Sequence, residues 1–477
     1  MRVAQREHYV TGTVVRFAGR WWLSSPANLA LFATALIGAV GIWWWPPLGL
    51  LTLALAVGPL GLGIRGSSSP LQWTARLRRL AALTSLPALG VIGTSLATGA
   101  PGWSVLVAFA LPALVDLSLG LLGPIERALG EGWVTRAADK LAASGARVVA
   151  ITGSYGKTTT KGYVQHLLSG HVSSVATPAS FNNRLGLARA INEHLAPGTS
   201  VFVAEMGTYR KGEIAELCEF IKPDVAAITS IGPVHLERFG SEEAIVEAKR
   251  EILTRAPIAI LNVDHPLLAD VADQEASFRE VIRVSSSSVD APFSVIEGVL
   301  RIEGQAVGRV GPEVFGANLA VAAAVANHFG IPSEDIGRRL SSLPVAPHRR
   351  QQSTSPSGVV IIDDTYNSNP AGAIAALDLL CAVPGGGRRV VVTPGMVELG
   401  ERQFDENSRF ASTVAARTSD LVIVGETNRR ALEHGSGGGA ATVTVLPTRQ
   451  EAVEWVRSRL KPGDAVLYEN DLPDHYP

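Results

Sequence analysis

Residues 148–168 read "VVAITGSYGKTTTKGYVQHLL", from Val148 to Leu168. An apolar, β-branched run leads into Gly153-Ser154-Tyr155-Gly156-Lys157-Thr158, and an amphipathic helical pattern follows. Glycines and a lysine at a strand-to-helix turn suit an anion. Backbone N–H groups can approach phosphate oxygens, the helix start offers its positive end, and Lys157 adds a charge. The Thr158 hydroxyl would then reach a magnesium ion, with Thr159 beside it. The turn is two residues shorter than the common GxxxxGK(S/T) spacing. Strand, compressed loop and helix start together predict a nucleotide-binding α/β domain.

What precedes this stretch is apolar. The 477-residue chain is 47% hydrophobic with a positive mean hydropathy, and its formal net charge of −1 gives no sign of nucleic-acid binding. Uncharged or nearly uncharged runs predict four membrane spans near 27–45, 48–64, 80–97 and 103–123. Arg2, Arg6, Arg16 and Arg20 precede the first; Arg65, Arg76, Arg78 and Arg79 fall between the second and third. The other turns carry no basic residue. The bias of Lys and Arg towards the cytoplasm then places both ends of this region, and the phosphate loop, on the cytoplasmic side of the cell membrane. The first apolar run begins too late for a cleaved signal peptide. Asp116 lies inside the fourth run, either as a functional acid or as a carboxylate hydrogen-bonded within the bundle. Cys218 and Cys381 lack CxxC spacing, which argues against a disulfide scaffold or a zinc site.

From Arg147 onward, β-branched runs alternate with amphipathic helices, the pattern of a mostly parallel sheet. "RVVAI", "SVFVAEM", "VAAIT" and "IAILNV" read as strands, and "APFSVIEGVLRIEGQAVGRV" as a β-meander. Proline-rich 343–358 reads as a linker. Beyond it "VVIIDD", "RRVVVTP", "DLVIVG", "ATVTVL" and "DAVLYE" predict a smaller Rossmann-like domain. The boundaries are a membrane region over 1–130, a central ATP-binding domain over 131–345 and a C-terminal domain over 346–477. "SSSS" and "GSGGG" read as loop material.

Three further residues stand out. Glu205 ends an apolar strand and His235 follows another, both at the carboxyl edge where open α/β sheets bind ligands. A carboxylate there can hold magnesium directly or through water. Lys249 shares an inward stripe with Ile245, Ala248 and Ile252, and Ser241 can cap their helix. A buried ammonium is costly, so Lys249 either snorkels or is chemically altered, for instance to a carbamate that faces a metal.

The compressed loop, "EMGTYRKGEI", "SIGPVHLERFGS", "EAKREI" and "IIDDTYNSNP" occur in the order of the Mur ligase family, which this chain resembles from about Arg147 to Glu469. Among its members the blocks look most like those that join D-alanyl-D-alanine to a UDP-N-acetylmuramoyl-tripeptide. The resemblance implies an ATP- and magnesium-dependent ligase that couples a carboxylate to the amine of an amino acid or dipeptide. By it, Lys157 and Thr158 bind the ATP phosphates and magnesium. Glu205 and His235 are magnesium ligands, and Lys249 is the lysine that becomes N6-carboxylysine. Asn182 and Asn183 match a substrate-side block, and Arg349, or Arg350 beside it, reaches ATP from the linker. Asp364 would hold the ribose, with Tyr366, Asn367 and Asn369 shaping the neighbouring substrate loop.

The chain also departs from the family. No separate UDP-sugar-recognising domain fits between the membrane region and the phosphate loop, about two dozen residues apart. A family-type "HNxxN" adenine block is replaced by "GANLAV", which keeps only Asn318. Thr393 and Pro394 precede the "GMVELGE" turn. Two competing expectations follow: a ligase resembling poly-γ-glutamate synthases, and a non-catalytic nucleotide-binding scaffold for cell-wall proteins.

Overall fold

The computed structural model describes residues 1–62, 71–179, 181–344, 348–366, 368–472 and 476. Arg65, the end of the second predicted span and the substrate-loop candidate Asn367 lie outside the described residues.

The phosphate-loop stretch forms the centre of a nine-stranded sheet. Its strands are β1 (Arg147–Thr152), β2 (Ser174–Ala176), β3 (Val201–Glu205), β4 (Val225–Ile228), β5 (Ile258–Asn262), β6 (Glu280–Ser285), β7 (Phe293–Ile296), β8 (Val299–Ile302) and β9 (Gln305–Arg309). They lie in the order β2-β3-β1-β4-β5-β6-β7-β8-β9. Strands β2 to β7 run parallel, and β7-β8-β9 form the antiparallel meander read from the sequence. The order reverses at β1, whose neighbours are β3 and β4, so a crevice opens at its carboxyl end.

Both faces of this sheet are covered, as the near-continuous apolar strands require. One face packs on the helices Lys157–Leu168 and Gly316–His328, the second buried from Asn318 to Ala326. The other packs on Arg184–His194, Glu213–Ile221, Glu242–Arg250 and Pro266–Glu275, joined by Val134, Ala137 and Leu141 from the end of a long helix.

A six-stranded sheet follows, ordered β10-β11-β15-β12-β13-β14. Its strands are β10 (Gln351–Thr354), β11 (Val360–Asp364), β12 (Arg389–Thr393), β13 (Asp420–Val424), β14 (Thr442–Leu446) and β15 (Ala465–Glu469). The stretch expected as linker thus contributes an antiparallel edge strand, β10, against β11. The other pairings are parallel.

Met1–Gly130 makes up most of a first compact unit, and the two sheets belong to a second. The helices Ala75–Ala97 and Gly102–Ser144 are long and apolar enough to cross a membrane, the second with 43 residues. The second predicted span is corrected, and the first falls in a bent helix pair. Helix Pro26–Gly41 is bent by 110° from Thr13–Trp22, and the pair counts as at most one broken span or a re-entrant loop. The run near 48–64 forms a 3-10 helix, Pro46–Leu53, and a single α turn, Ala54–Val57, rather than a spanning helix. The reason lies in the glycines. A Cβ at Gly38 would come within 2.9 Å of Leu48 O and Leu51 Cβ, so the two segments fold together backbone to backbone. Pro46 and Pro47 fix the turn that brings them there.

Asp116 proves to be the hydrogen-bonded acid. Its carboxylate accepts the backbone N–H groups of Val14 (3.3 Å) and Val15 (2.9 Å), the open N-terminus of helix Thr13–Trp22. That helix has no cap of its own, and Asp116 supplies one from another part of the chain.

Candidate active site

The phosphate loop is shaped by two glycines that nothing else could replace. Gly153 has φ 157° and Gly156 has φ 84°, and a Cβ at either would overlap Thr229 Oγ1 or Asn318 Oδ1, respectively. The loop is stitched to the segment after β4. Ser154 N donates to Ser230 O (2.9 Å), Tyr155 N to Ser230 Oγ (3.0 Å), Tyr155 OH to Ile231 O (3.0 Å) and Thr229 Oγ1 to Tyr155 O (2.6 Å). Lys157 Nζ turns back onto its own loop and donates to Gly153 O at 2.8 Å. Burial holds its ammonium below the usual lysine range, against the raising influence of Glu205, and Arg349 lowers it further.

Beneath the loop sits Glu205, 1% exposed. Its Oε2 accepts from Thr158 Oγ1 at 3.0 Å and pairs with Lys161 Nζ at 3.0 Å, while Oε1 accepts from Asn182 Nδ2 at 3.2 Å. Lys161 was not foreseen from the sequence. The signal was there: it follows Lys157 by one helical turn and shares the inward face with Val164 and Leu168. Asn183, expected beside the substrate, caps the helix Arg184–His194 by accepting from Gly186 N at 3.0 Å.

Lys249 is 3% exposed on the predicted stripe, and Ser241 caps its helix. Its pKa is depressed well below the lysine range, chiefly by burial and further by the Lys157 charge. Burial and the Lys157 charge thus both disfavour the ammonium form of Lys249, which lies within the electrostatic reach of the phosphate loop. His235 is placed on the segment after β4, with its ring edge-on to Tyr209 and its Nδ1 bonded to Glu398 of the "MVELGE" turn. Among the described residues, no group of three or more His, Cys, Asp or Glu side chains converges on one point.

A cleft of 360 Å³ extends from the loop between the two sheets. Tyr155, Gly156, Thr159, Thr229 and Asn318 line it on one side, and Arg349, Asp364 and Asn369 on the other. Arg349 stacks over Tyr366, 4.6 Å from the ring centre. Arg350 instead is buried over Phe315, with Nε and Nη2 unpartnered among the described residues. Of the two candidates, Arg349 lines the cleft. Asp364 accepts the Arg350 N–H at 3.0 Å, and burial pushes its carboxyl up to about 6. Asn369 also caps the helix Pro370–Ala382, accepting from Gly372 N at 2.9 Å.

The far end of the cleft holds Asn262, Asp264, His265 and Ser286, none foreseen. Asn262 ends β5, Asp264 and His265 follow it and Ser286 follows β6, at the same carboxyl edge that singled out Glu205. The serine run is more than loop filler. Ser285, Ser286 and Ser287 all donate hydroxyls to Asp264. Burial would raise that carboxyl, but these bonds outweigh it and hold it below the usual range.

Comparison with known proteins agrees. The Mur ligase middle domain profile matches residues 151–307, and that described as "Mur ligase, glutamate ligase domain" matches 348–468. The UDP-N-acetylmuramoyl-tripeptide--D-alanyl-D-alanine ligase of Mycobacterium leprae is 34% identical over 376 residues, 69% of this chain and 72% of that protein. This chain belongs to the Mur ligase family. The corresponding ligase of Bacillus subtilis is 30% identical over 343 residues, covering 68% of this chain and 73% of its own. MurF from Thermotoga maritima, solved in complex with ADP, superposes with a TM-score of 0.58 at 26% identity, covering 72% of this chain and 80% of that one. As a Mur ligase, the protein is an ATP-dependent enzyme that forms carbon–nitrogen bonds.

Proposed function

We propose that this Mur ligase joins D-alanyl-D-alanine to a muramoyl peptide in cell-wall synthesis, and does so while anchored in the cell membrane. The observation that carries the reading is the meeting of Thr158 with Glu205 under a phosphate loop whose Tyr155 and Gly156 line one cleft with Arg349 and Asp364.

The chemistry follows from the acceptor. A carboxylate resists attack by an amine, so it first takes the γ-phosphoryl group of ATP and becomes an acyl phosphate, releasing ADP. The amine nitrogen then adds to the acyl carbon, the tetrahedral adduct expels phosphate, and an amide remains. The loop amides, Lys157 and Arg349 bear the phosphoryl charge. Thr158 and Glu205 present the oxygen donors that magnesium prefers, and a carbamate on Lys249 would add another. When bound, magnesium would offset negative charge on the phosphates. Glu205 has both oxygens engaged, so it holds and orients its neighbours as well as any ion. Burial shifts Lys249 towards the uncharged amine, the form that reacts with CO₂.

The membrane reading rests on the helices Ala75–Ala97 and Gly102–Ser144. If Pro26–Val57 is a re-entrant hairpin, two true spans remain. The basic N-terminal segment and Arg76, Arg78 and Arg79 still share one side with the catalytic domains. Helix Gly102–Ser144 ends two residues before β1, which leaves no room there for a sugar-recognising domain. A lipid-linked or otherwise membrane-proximal acceptor fits this arrangement. The same feature favours a second reading, a ligase resembling poly-γ-glutamate synthases.

The test is to incubate the detergent-solubilised protein with ATP, membrane extract and either D-alanyl-D-alanine or glutamate. ADP release stimulated by the dipeptide, with an amide product in the mass spectrum, is expected. Stimulation by glutamate alone would select the second reading, and no ADP with any amine would leave a scaffold.

A further inference from the structure

Two non-glycine residues with left-handed backbones meet across the two halves of the catalytic unit. His235 and Glu398 both have φ 64°, a conformation that side chains with a Cβ disfavour. Glu398 Oε2 bonds His235 Nδ1. The contact is supported on both sides. Arg238 Nη2 lies 3.6 Å from Glu398 Oε1, the Tyr209 ring stands edge-on to the imidazole at 5.2 Å, and Arg402 pairs with Glu242 at 2.9 Å. The turn that carries Glu398 follows β12 of the second sheet, whereas His235 follows β4 of the first. An ordinary surface ion pair would need neither backbone to be held this way.

We infer that Glu398 is a positioning residue for His235, so that the imidazole is set for its ligand only when the C-terminal domain is docked on the central one. The inference rests on the proposed function and on the reading, implied by the family resemblance, of His235 as a magnesium ligand. A carboxylate that accepts Nδ1–H fixes the tautomer, leaves the Nε2 lone pair available and holds the ring against rotation. Supplying that carboxylate from the other domain ties metal capture to domain docking. Nucleotide and metal then converge on a finished site instead of half of one, and a reactive acyl phosphate would form only where water is excluded.

The experiment uses full-length protein with ADP and Mn²⁺, reading free Mn²⁺ by electron paramagnetic resonance. Glu398→Ala should weaken Mn²⁺ binding about tenfold or more. Glu398→Gln, which can still accept from Nδ1–H, should retain most of it. The Glu398→Ala/His235→Ala pair should bind no more weakly than His235→Ala alone, and ADP affinity without metal should stay within twofold. Wild-type Mn²⁺ affinity in Glu398→Ala, beside a loss in His235→Ala, would overturn the positioning role alone. Additive losses in the double variant would do the same. Wild-type affinity in His235→Ala would remove the metal reading of that histidine and the inference with it. Should the alanine variant not fold, Glu398→Asp, one methylene shorter, replaces it. A several-fold loss is expected there, and unchanged affinity refutes the idea.

Discussion

Lys161 and Glu205 form a buried ion pair, 3.0 Å apart, with side chains only 7% and 2% exposed. The same Glu205 oxygen accepts the Thr158 hydroxyl, so the first turn of one helix and the end of β3 are joined by a single carboxylate. Removing either charge would leave the other buried and uncompensated.

Lys161→Met is therefore expected to cost about 3–5 kcal/mol of stability. Adding Glu205→Gln to it should recover part of that loss in urea unfolding, without recovering ADP release. A cost under about 1 kcal/mol for the single variant would mean that Glu205 is not held as an ion.

Lys157 makes its hydrogen bonds within its own loop, so its loss should spare the fold. Lys157→Ala should lower ATP turnover by about 10²–10³-fold or more, with a melting temperature close to that of the wild type. Full ADP release from this variant would refute its assigned role.

Lys249 gives a prediction of opposite sign for stability and activity. Its folded-state pKa is depressed, so between the folded pKa and the ordinary lysine range the unfolded chain binds more protons than the native state. Stability then rises with pH until the ordinary lysine range is reached. In CO₂-depleted buffer Lys249→Met should be more stable than the wild type at pH 7, and the gap should close as pH rises. The variant should lose most activity, and for Lys249→Ala short-chain carboxylates should restore part of it. Unchanged turnover would end the carbamate reading.

Glu469 and Asp364 are register partners at the ends of β15 and β11. Burial pushes the Glu469 carboxyl up to about 7, although Ser368 and Thr393 both donate hydroxyls to it. Because the folded pKa is raised, the native state binds more protons than the unfolded chain above about 4.5. The associated stability is complete below that pH and is lost as pH climbs through 7, a change of about 3 kcal/mol. Denaturation of wild type and Glu469→Gln across pH 4–8 should show their stability difference changing in that window. Parallel curves would place the titration elsewhere.

The sequence by itself determined whatever depends on local period and backbone freedom. The compressed glycine loop, the β-strand runs, the Ser241 cap and the inward stripe of Lys249 were all legible, because each is fixed by residues a few positions apart. The edge rule placed Glu205 correctly and would have placed Asp264 too, had the serine run been read as a set of donors. The tertiary structure decided what depends on pairing distant segments. Only folding brings Lys161 to Glu205, Glu398 to His235 and Asp116 to the bare end of another helix. It also turned the second apolar run into a short hairpin arm, since hydropathy measures how greasy a run is and not how closely its glycines let it pack. A side chain's spacing tells which face it occupies, and only the opposing surface tells what it meets there.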